Sequence, residues 1–395
     1  MPDPSFQRVL RDLATSWPQG ELEQRLTEGK PLRVKLGVDP TAPRVTLGWA
    51  VVLRKLAEFQ ALGHTAVLIV GDFTAQVGDP SGKREIRKRL AESEVRGYVD
   101  SVMAGLSKVL LPEPLEIRYN SEWLAPMRTQ ELLELAAGIT VARLLEREDF
   151  ALRYQTGKPI SLMELFYPLL QGMDSVAVEA DIELGGTDQL WNLLVGRDLQ
   201  QRAGQRPQCV VTVPLLVGTD GTQKMSQSLG NYIGVDEAPD EMFGKLMSIP
   251  DTAMPDYFRL ATALSSEEVE TVLSELAAGS LHPGSAKRRL GREVVGVYWG
   301  GEAAEAAERA FDRVFRDKRV PEEVRQLALP EGERVHLPTL LRDAGLVASG
   351  SEAVRLLAQG AVKLDGERVT DPEIEAKALR GKTLQVGKRR FVRLV

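Results

Sequence analysis

Residues 31–73 read PLRVKLGVDPTAPRVTLGWAVVLRKLAEFQALGHTAVLIVGDF, and the reading of this stretch decides the fold. Two β-rich runs, PLRVKLGVD and HTAVLIVGDF, flank a helical segment, WAVVLRKLAEFQALG. In that segment Val52, Leu53, Leu56 and Phe59 recur at helical spacing and Gly63 is placed to end the helix. A strand–helix–strand unit of this kind predicts parallel strands joined by a crossover. LEIRYN, the region around VEADIEL, and CVVTVPLLVG continue the alternation, so the first half predicts a parallel α/β sheet. The helix start then faces the C-terminal end of a strand. In open α/β sheets that crevice binds nucleotides, because unpaired backbone N–H groups and the helix dipole favour phosphate there.

Outward from this unit the character changes. Over residues 235–330 strand signals give way to helical patterns such as PDEMFGKLMS, SSEEVETVLSELAAG and GEAAEAAERAFDRVF. Their charge-laced faces fit a solvated helix surface and carry no functional weight. PEEVRQLALPEGERVHLP, punctuated by Pro321, Pro330 and Pro338, reads as a linker to a small basic α/β module.

The 395 residues exceed the size at which single cores stop growing, about 250–300 residues, so two or three domains are expected. Composition is that of a soluble globular protein, at 43% hydrophobic and 27% charged residues. No apolar run reaches the ~18 residues of a membrane span. The opening MPDPSFQRVLRDLATSW carries Asp3 and Asp12 and no apolar signal core, so the mature chain is expected to start there. A single cysteine, Cys209, excludes an internal disulfide and points to a reducing compartment, the cytoplasm. The net charge is −6, unevenly spread: residues 336–395 hold eleven basic and seven acidic residues, leaving the tail about +4 and the remainder about −10. Such asymmetry suits either RNA contact or a solvated basic face.

Six segments carry a resemblance. KLGVDPTAP (35–43) with Leu47 and Gly48, GDFTAQVGDPSGK (71–83), RYNSEW (118–123), YPLLQGMDS (167–175), ELGGTDQ (183–189) and VPLLVGTDGTQKMSQS (213–228) occur in the order and spacing of bacterial tyrosyl-tRNA synthetases, class I aminoacyl-tRNA synthetases of the tyrosine type. The tail segment LPTLLRDAGLVASGSEAVRLLAQGAVKLDGERVTDPE resembles an S4-type RNA-binding module, with Val354 where the module often has a second arginine. The resemblance implies a Rossmann-like parallel-sheet catalytic domain with a connective insertion over 1–232, a helical anticodon-binding domain over 233–330 and an S4-like α+β RNA-binding domain over 331–395.

It also implies roles. Asp79, Tyr167 and Gln171 match the group that holds the tyrosine ammonium, one carboxylate for charge and two neutral groups for orientation. Asn120 matches a supporting position. Tyr167, Gln171 and Asp174 stand at i, i+4 and i+7, on one helix face. Asp174 matches the acceptor of the phenol hydroxyl, which rejects phenylalanine because the analogue leaves a buried carboxylate unpartnered; this enzyme class is itself the standard illustration of that rule. Lys35 stands where the family often has a second phenol partner. Gly37, Asp39, Gly185, Asp188 and Gln189 match positions lining the adenylate, with Gln189 also on the tyrosine side and Asp188 toward the ribose. Val217 and Met225 match positions beside the adenine. Thr41, Lys83, Arg87 and Lys224 match polyphosphate ligands.

Two ATP motifs depart from the family pattern. Where the family has His-x-Gly-His, this chain has Thr46-Leu47-Gly48-Trp49, and its only histidines are His64, His282 and His336. Lys-Met-Ser-Lys-Ser becomes Lys224-Met225-Ser226-Gln227-Ser228. If three charge-assisted bonds of about 1.5–3 kcal/mol were lost additively, activation would slow by roughly 10³–10⁶, although groups acting as a unit do not add. Thr46 can donate one neutral bond, and Trp49 can stack on the ribose or adenine or fill their pocket. The expected function is tyrosine activation with ATP to tyrosyl-adenylate and transfer to tRNA(Tyr). The alternatives are an impaired paralogue that binds tyrosine or tRNA without ligase activity, and a changed acceptor for the adenylate. Magnesium follows from ATP as substrate, with no prosthetic group and no protein metal site. Family membership also implies a homodimer, through helices around Ile139 to Phe150.

Overall fold

Strands buried on both faces are apolar almost throughout; of the five β-rich runs, those at 65–70 and 209–213 are, those at 33–38 and 182–186 carry charged residues, and that at 115–119 is a half-exposed edge. In the computed structural model, which describes residues 6–80, 90–315, 325–330, 332–387 and 390–395, they form β2 (Arg33–Val38), β3 (Thr65–Val70), β4 (Leu115–Tyr119), β5 (Ile182–Gly186) and β6 (Cys209–Val213). All neighbouring pairs among these five are parallel. A short β1 (Thr15–Trp17), absent from the sequence reading, adds an antiparallel edge on β6. The order β1-β6-β5-β2-β3-β4 means that the chain winds outward from β2 in one direction and returns to its other side with β5. The crevice beyond the C-terminal ends of β2 and β5 is therefore the topological switch point.

The Leu47–Ala61 helix leads out of this crevice. Its first turn is capped by Thr46, whose Oγ1 accepts the Trp49 N–H at 3.4 Å. Leu53, Leu56 and Phe59 are buried as expected, and Gly63 ends the segment at φ +85°. Val52, grouped with them by spacing, instead lines the crevice.

Two helices floor the site, Leu162–Ala177 and Leu190–Arg202. They cross at glycines. A Cβ on Gly172 would stand 2.8 Å from Leu199 Cδ1 and 3.2 Å from the backbone of Gly196. Ser161 and Glu164 form a capping box at the start of the first helix, and Glu164 is fixed by a buried ion pair with Arg153.

The chain divides into two compact units, Met1–Gly300 and Gly301–Val395. The helices Pro239–Ser248, Met254–Ala261, Ser266–Ala277 and Pro283–Trp299 belong to the first, around buried Phe243, Tyr257, Phe258 and Leu290. The second holds the Gly301–Phe315 helix, β7 (Arg325–Leu327), β8 (Arg334–His336), the helices Leu337–Asp343 and Gly350–Ala358, then β9 (Val362–Leu364), β10 (Glu367–Arg368), β11 (Glu373–Glu375), β12 (Thr383–Val386) and β13 (Arg390–Leu394). Leu337, Leu341, Leu357, Leu384 and Leu394 are among its core residues. β7 lies inside the stretch read as a linker and pairs in parallel with β13.

The helix crossing yields a test. Gly172→Val forces a side chain against backbone that cannot move aside, at a cost of about 1–3 kcal/mol. The urea midpoint of the variant should fall with unchanged slope; an unchanged midpoint would contradict the close crossing.

Candidate active site

The crevice opens as a single cavity of about 1050 Å³. Gly37, Asp39 and Thr41 approach it from the end of β2, Thr46, Gly48 and Trp49 from the helix start, and Gly185, Asp188 and Gln189 from the end of β5. Asp79, the helix residues Tyr167, Gln171 and Asp174, and Lys224, Met225 and Gln227 of the loop after β6 complete the wall. Lys35, Asn120 and Val217 stand behind that wall. Lys83 and Arg87 lie outside the described residues.

Burial dominates one end. Asp174 is buried, and Oδ1 accepts the Trp123 indole N–H at 2.9 Å while Oδ2 accepts from Asn120 Nδ2 at 3.4 Å. Desolvation pushes its carboxyl up to about 7, against the opposing pull of the Lys35 charge and the two hydrogen bonds. Asn120 is thus a bracket: its Oδ1 accepts the Phe73 N–H and its amide also donates to Thr74 Oγ1. Thr74 in turn donates to Asp39 Oδ1 at 2.7 Å, and the Tyr167 hydroxyl donates to Asp39 Oδ2 at 2.9 Å.

A second chain of hydrogen bonds starts from the same helix at Gln171 and runs to the end of β5. Asn192 donates to the side-chain oxygens of both Gln171 (3.0 Å) and Gln189 (3.1 Å), and Gln189 donates to Asp79 at 2.8 Å. Arg147 fixes Asn192 from behind. Both glutamine amides are therefore oriented, which leaves an anionic and acceptor-rich end suited to an ammonium group.

The other end is more open. Lys224 pairs with Asp188, its side chain about half exposed. Met225 Sδ accepts the Gly48 N–H, and Val217 bridges Lys224 across the loop while its carbonyl accepts the Tyr257 hydroxyl. Gln227 makes a two-point contact with the backbone of Arg44, accepting its N–H at 3.2 Å and donating to its carbonyl at 2.7 Å. A lysine could only donate there. Thr46 and Gln227, two of the three positions read as departing from the resembled motifs (the third is Trp49), thus each hold local structure: one caps a helix, the other ties the loop after β6 to the segment after β2.

Four further contributors escaped the sequence reading: Thr74, Trp123, Asn192 and the Arg44 backbone. Thr74 and Trp123 lay within quoted motifs, but nothing in their spacing showed which carboxylate each would reach.

A nucleotide-type crevice at a Rossmann-like switch point is thus continuous with a polar pocket around a buried carboxylate, the arrangement of a protein that holds a nucleotide beside a small polar molecule. Comparison with known proteins is specific. The family model described as tRNA synthetases class I (W and Y) matches residues 27–316, and the S4 domain model matches residues 336–378. The tyrosine–tRNA ligase of Moorella thermoacetica is 53% identical, over 95% of this chain and 91% of the relative; that of Carboxydothermus hydrogenoformans is 49% identical, over 98% and 96%. Among solved structures, tyrosyl-tRNA synthetase from Archaeoglobus fulgidus complexed with L-tyrosine superposes with a TM-score of 0.62 at 22% identity, covering 77% of this chain and 98% of the other. The chain belongs to the class I tRNA synthetases of the tyrosine type, and it carries an S4 domain.

The Gln227 contact can be tested directly. Gln227→Leu removes two hydrogen bonds of about 0.5–1.5 kcal/mol each. Amide exchange over residues 40–46 and 223–229 should then accelerate roughly 5-fold or more; unchanged protection would show that the clamp does not hold the loop.

Proposed function

We propose that the protein activates L-tyrosine with ATP, releasing pyrophosphate, and transfers the tyrosyl group to tRNA(Tyr). One observation carries this reading: a single cavity joins an anionic, hydrogen-bonded pocket to a nucleotide crevice at the switch point. In this reading Asp79, Tyr167 and Gln171 hold the substrate ammonium, and Gln189 steadies Asp79. Asp174 accepts the phenol hydroxyl at the buried end. The substrate carboxylate is thereby aimed at the α-phosphate, and positioning of this kind accounts for much of catalysis.

Gly37, Gly185, Asp188 and Met225 bound the nucleoside, while Thr41 and Lys224 meet the phosphates. Lys224 must exchange Asp188 for phosphate to do so. The dipole of the Leu47–Ala61 helix adds partial positive charge at the same place, offsetting in part the missing imidazoles. Magnesium accompanies ATP as part of the substrate. We assign Lys83 and Arg87 to the phosphates on their motif positions alone.

The tail module and the helices over 233–330 are the proposed tRNA contacts, supported by the S4 match and by exposed basic residues such as Arg355 and Lys377. No helix among the described residues is long and apolar enough to cross a membrane. The proposed site of action is the cytoplasm, which suits the buried free thiol of Cys209.

A second reading, a protein that binds tyrosine or tRNA without ligase activity, is favoured by Trp49, which occupies the wall beside the nucleotide end where the family has an imidazole. Tyrosine-dependent ATP–pyrophosphate exchange separates the two. The protein should exchange within about tenfold of a variant carrying Thr46→His, Trp49→His and Gln227→Lys. Exchange that appears only in the variant would establish the binding protein instead.

A second copy of the chain is the proposed partner of an apolar patch around the helices expected to pair. Leu133, Val141, Tyr154 and Leu162 are each more than 60% exposed, a density unusual for a monomer surface. Light scattering should give twice the 43.5 kDa chain mass, and Val141→Glu with Leu162→Glu should halve it.

A further inference from the structure

Behind the wall formed by Gln171 and Asp174 lies a cluster of polar side chains that no step of the proposed reaction touches. Lys35, Ser175, Glu183 and Gln208 are all essentially fully buried. Lys35 and Glu183 face each other on the adjacent parallel strands β2 and β5, with Lys35 Nζ 2.7 Å from Glu183 Oε1. The same ammonium donates to Ser175 Oγ at 2.8 Å and to the Gln171 carbonyl at 3.1 Å. Its three hydrogens are thus engaged within the protein, and none is left for a phenol. Glu183 is equally occupied: Oε2 accepts from Ser175 Oγ at 3.0 Å and from Gln208 Nε2.

Stability does not account for this arrangement. A buried ion pair is often no better than well-packed apolar residues of the same volume, because both charges must be stripped of water. What the pair adds is geometry. Gln171 and Ser175 are one helical turn apart, and Asp174 sits on the turn that Lys35 grips at both ends.

We propose that Lys35 and Glu183 are positioning residues for tyrosine recognition: they lock the Gln171–Ser175 turn so that Gln171 and Asp174 face the amino acid, and Lys35 supplies the nearest positive charge to Asp174. The proposal rests on the reading of this pocket as the tyrosine site. It replaces the expectation that Lys35 itself touches the phenol.

The charged groups acting on Asp174 are Lys35 from β2 and Glu183 from β5; Trp123 and Asn120, following β4, are neutral donors. The direction of the pH effect follows. A phenol donates best to an ionised carboxylate, so affinity for tyrosine rises as pH rises through the Asp174 transition near 7 and falls below it. Removing the cation favours the protonated form and moves that transition to higher pH.

The test measures equilibrium binding of tyrosine and of phenylalanine between pH 6 and 9, for the protein, for Lys35→Met combined with Glu183→Gln, and for Ser175→Ala. The double variant should bind tyrosine at pH 7.5 roughly tenfold more weakly with its transition shifted upward. Phenylalanine shares the Gln171 contact but not the Asp174 one, so its binding should weaken less than that of tyrosine, and the tyrosine-to-phenylalanine ratio should drop. Ser175→Ala should move the ratio the same way by about threefold. A merely structural role would lower the urea midpoint and leave ratio and transition in place, which overturns the proposal. If the double variant fails to fold, the Ser175→Ala ratio decides. If the unaltered protein binds no tyrosine, the reading of the pocket fails and the proposal with it.

Discussion

A lysine and a glutamate that face each other on adjacent strands of a buried sheet have no water to turn to, so each must be satisfied by protein atoms. The Lys35–Glu183 pair meets this constraint at the seam between β2 and β5, and the site is built around how it does so. Lys35 reaches the helix that carries Tyr167, Gln171 and Asp174, and Glu183 reaches Gln208, whose amide also donates to the Leu193 carbonyl. Sheet and both flooring helices are thus tied through one polar cluster. The crossing at Gly172 and Gly196 leaves room for it: a Cβ on Gly196 would stand 2.9 Å from both Gln208 Nε2 and Ser175 Oγ. Close packing and polar satisfaction are here the same requirement.

The nucleotide end is organised on other terms. Its contacts are fewer: the Lys224–Asp188 pair, half exposed on the lysine side, and the two hydrogen bonds of Gln227 to the Arg44 backbone. Thr46 and Gln227 have the roles of a cap and a clamp, so the altered motifs are integrated into the fold. A cap needs an acceptor, which the Thr46 hydroxyl supplies, and the clamp needs an acceptor and a donor together, which a glutamine amide supplies and a lysine does not.

The sequence was legible where physics is local. β3 and β6 announced themselves as apolar runs, β2, β4 and β5 as β-rich runs that carry charged residues, and the helix between β2 and β3 through its spacing, because burial in a sheet or on one stripe of a helix leaves a compositional or periodic trace. β1 left none, since three residues pair with β6 only after the chain has returned some two hundred positions later. β7 was hidden among linker prolines for the same reason. In the site, motif positions named most of the cavity wall, yet could not say that Lys35 is taken up by Glu183 and the helix at Gln171 and Ser175, or that Trp123 reaches Asp174. Gln227 illustrates the limit. Read in sequence it is a missing charge; its partner, 183 residues away, is a backbone that no side-chain pattern records.

The two ends therefore respond differently to substitution. At the tyrosine end each polar group is held by at least one other in a desolvated setting, where an unpaired partner is costly. Removing one member disturbs several. At the nucleotide end Lys224 is half exposed, and solvent screening reduces what any single charge contributes there. Thr46 is buried and Gln227 half-buried, so their neutral bonds belong to the packed wall and the screening applies to Lys224. Substitution in the buried cluster therefore spreads to several partners, whereas substitution at Lys224 removes one screened ion pair.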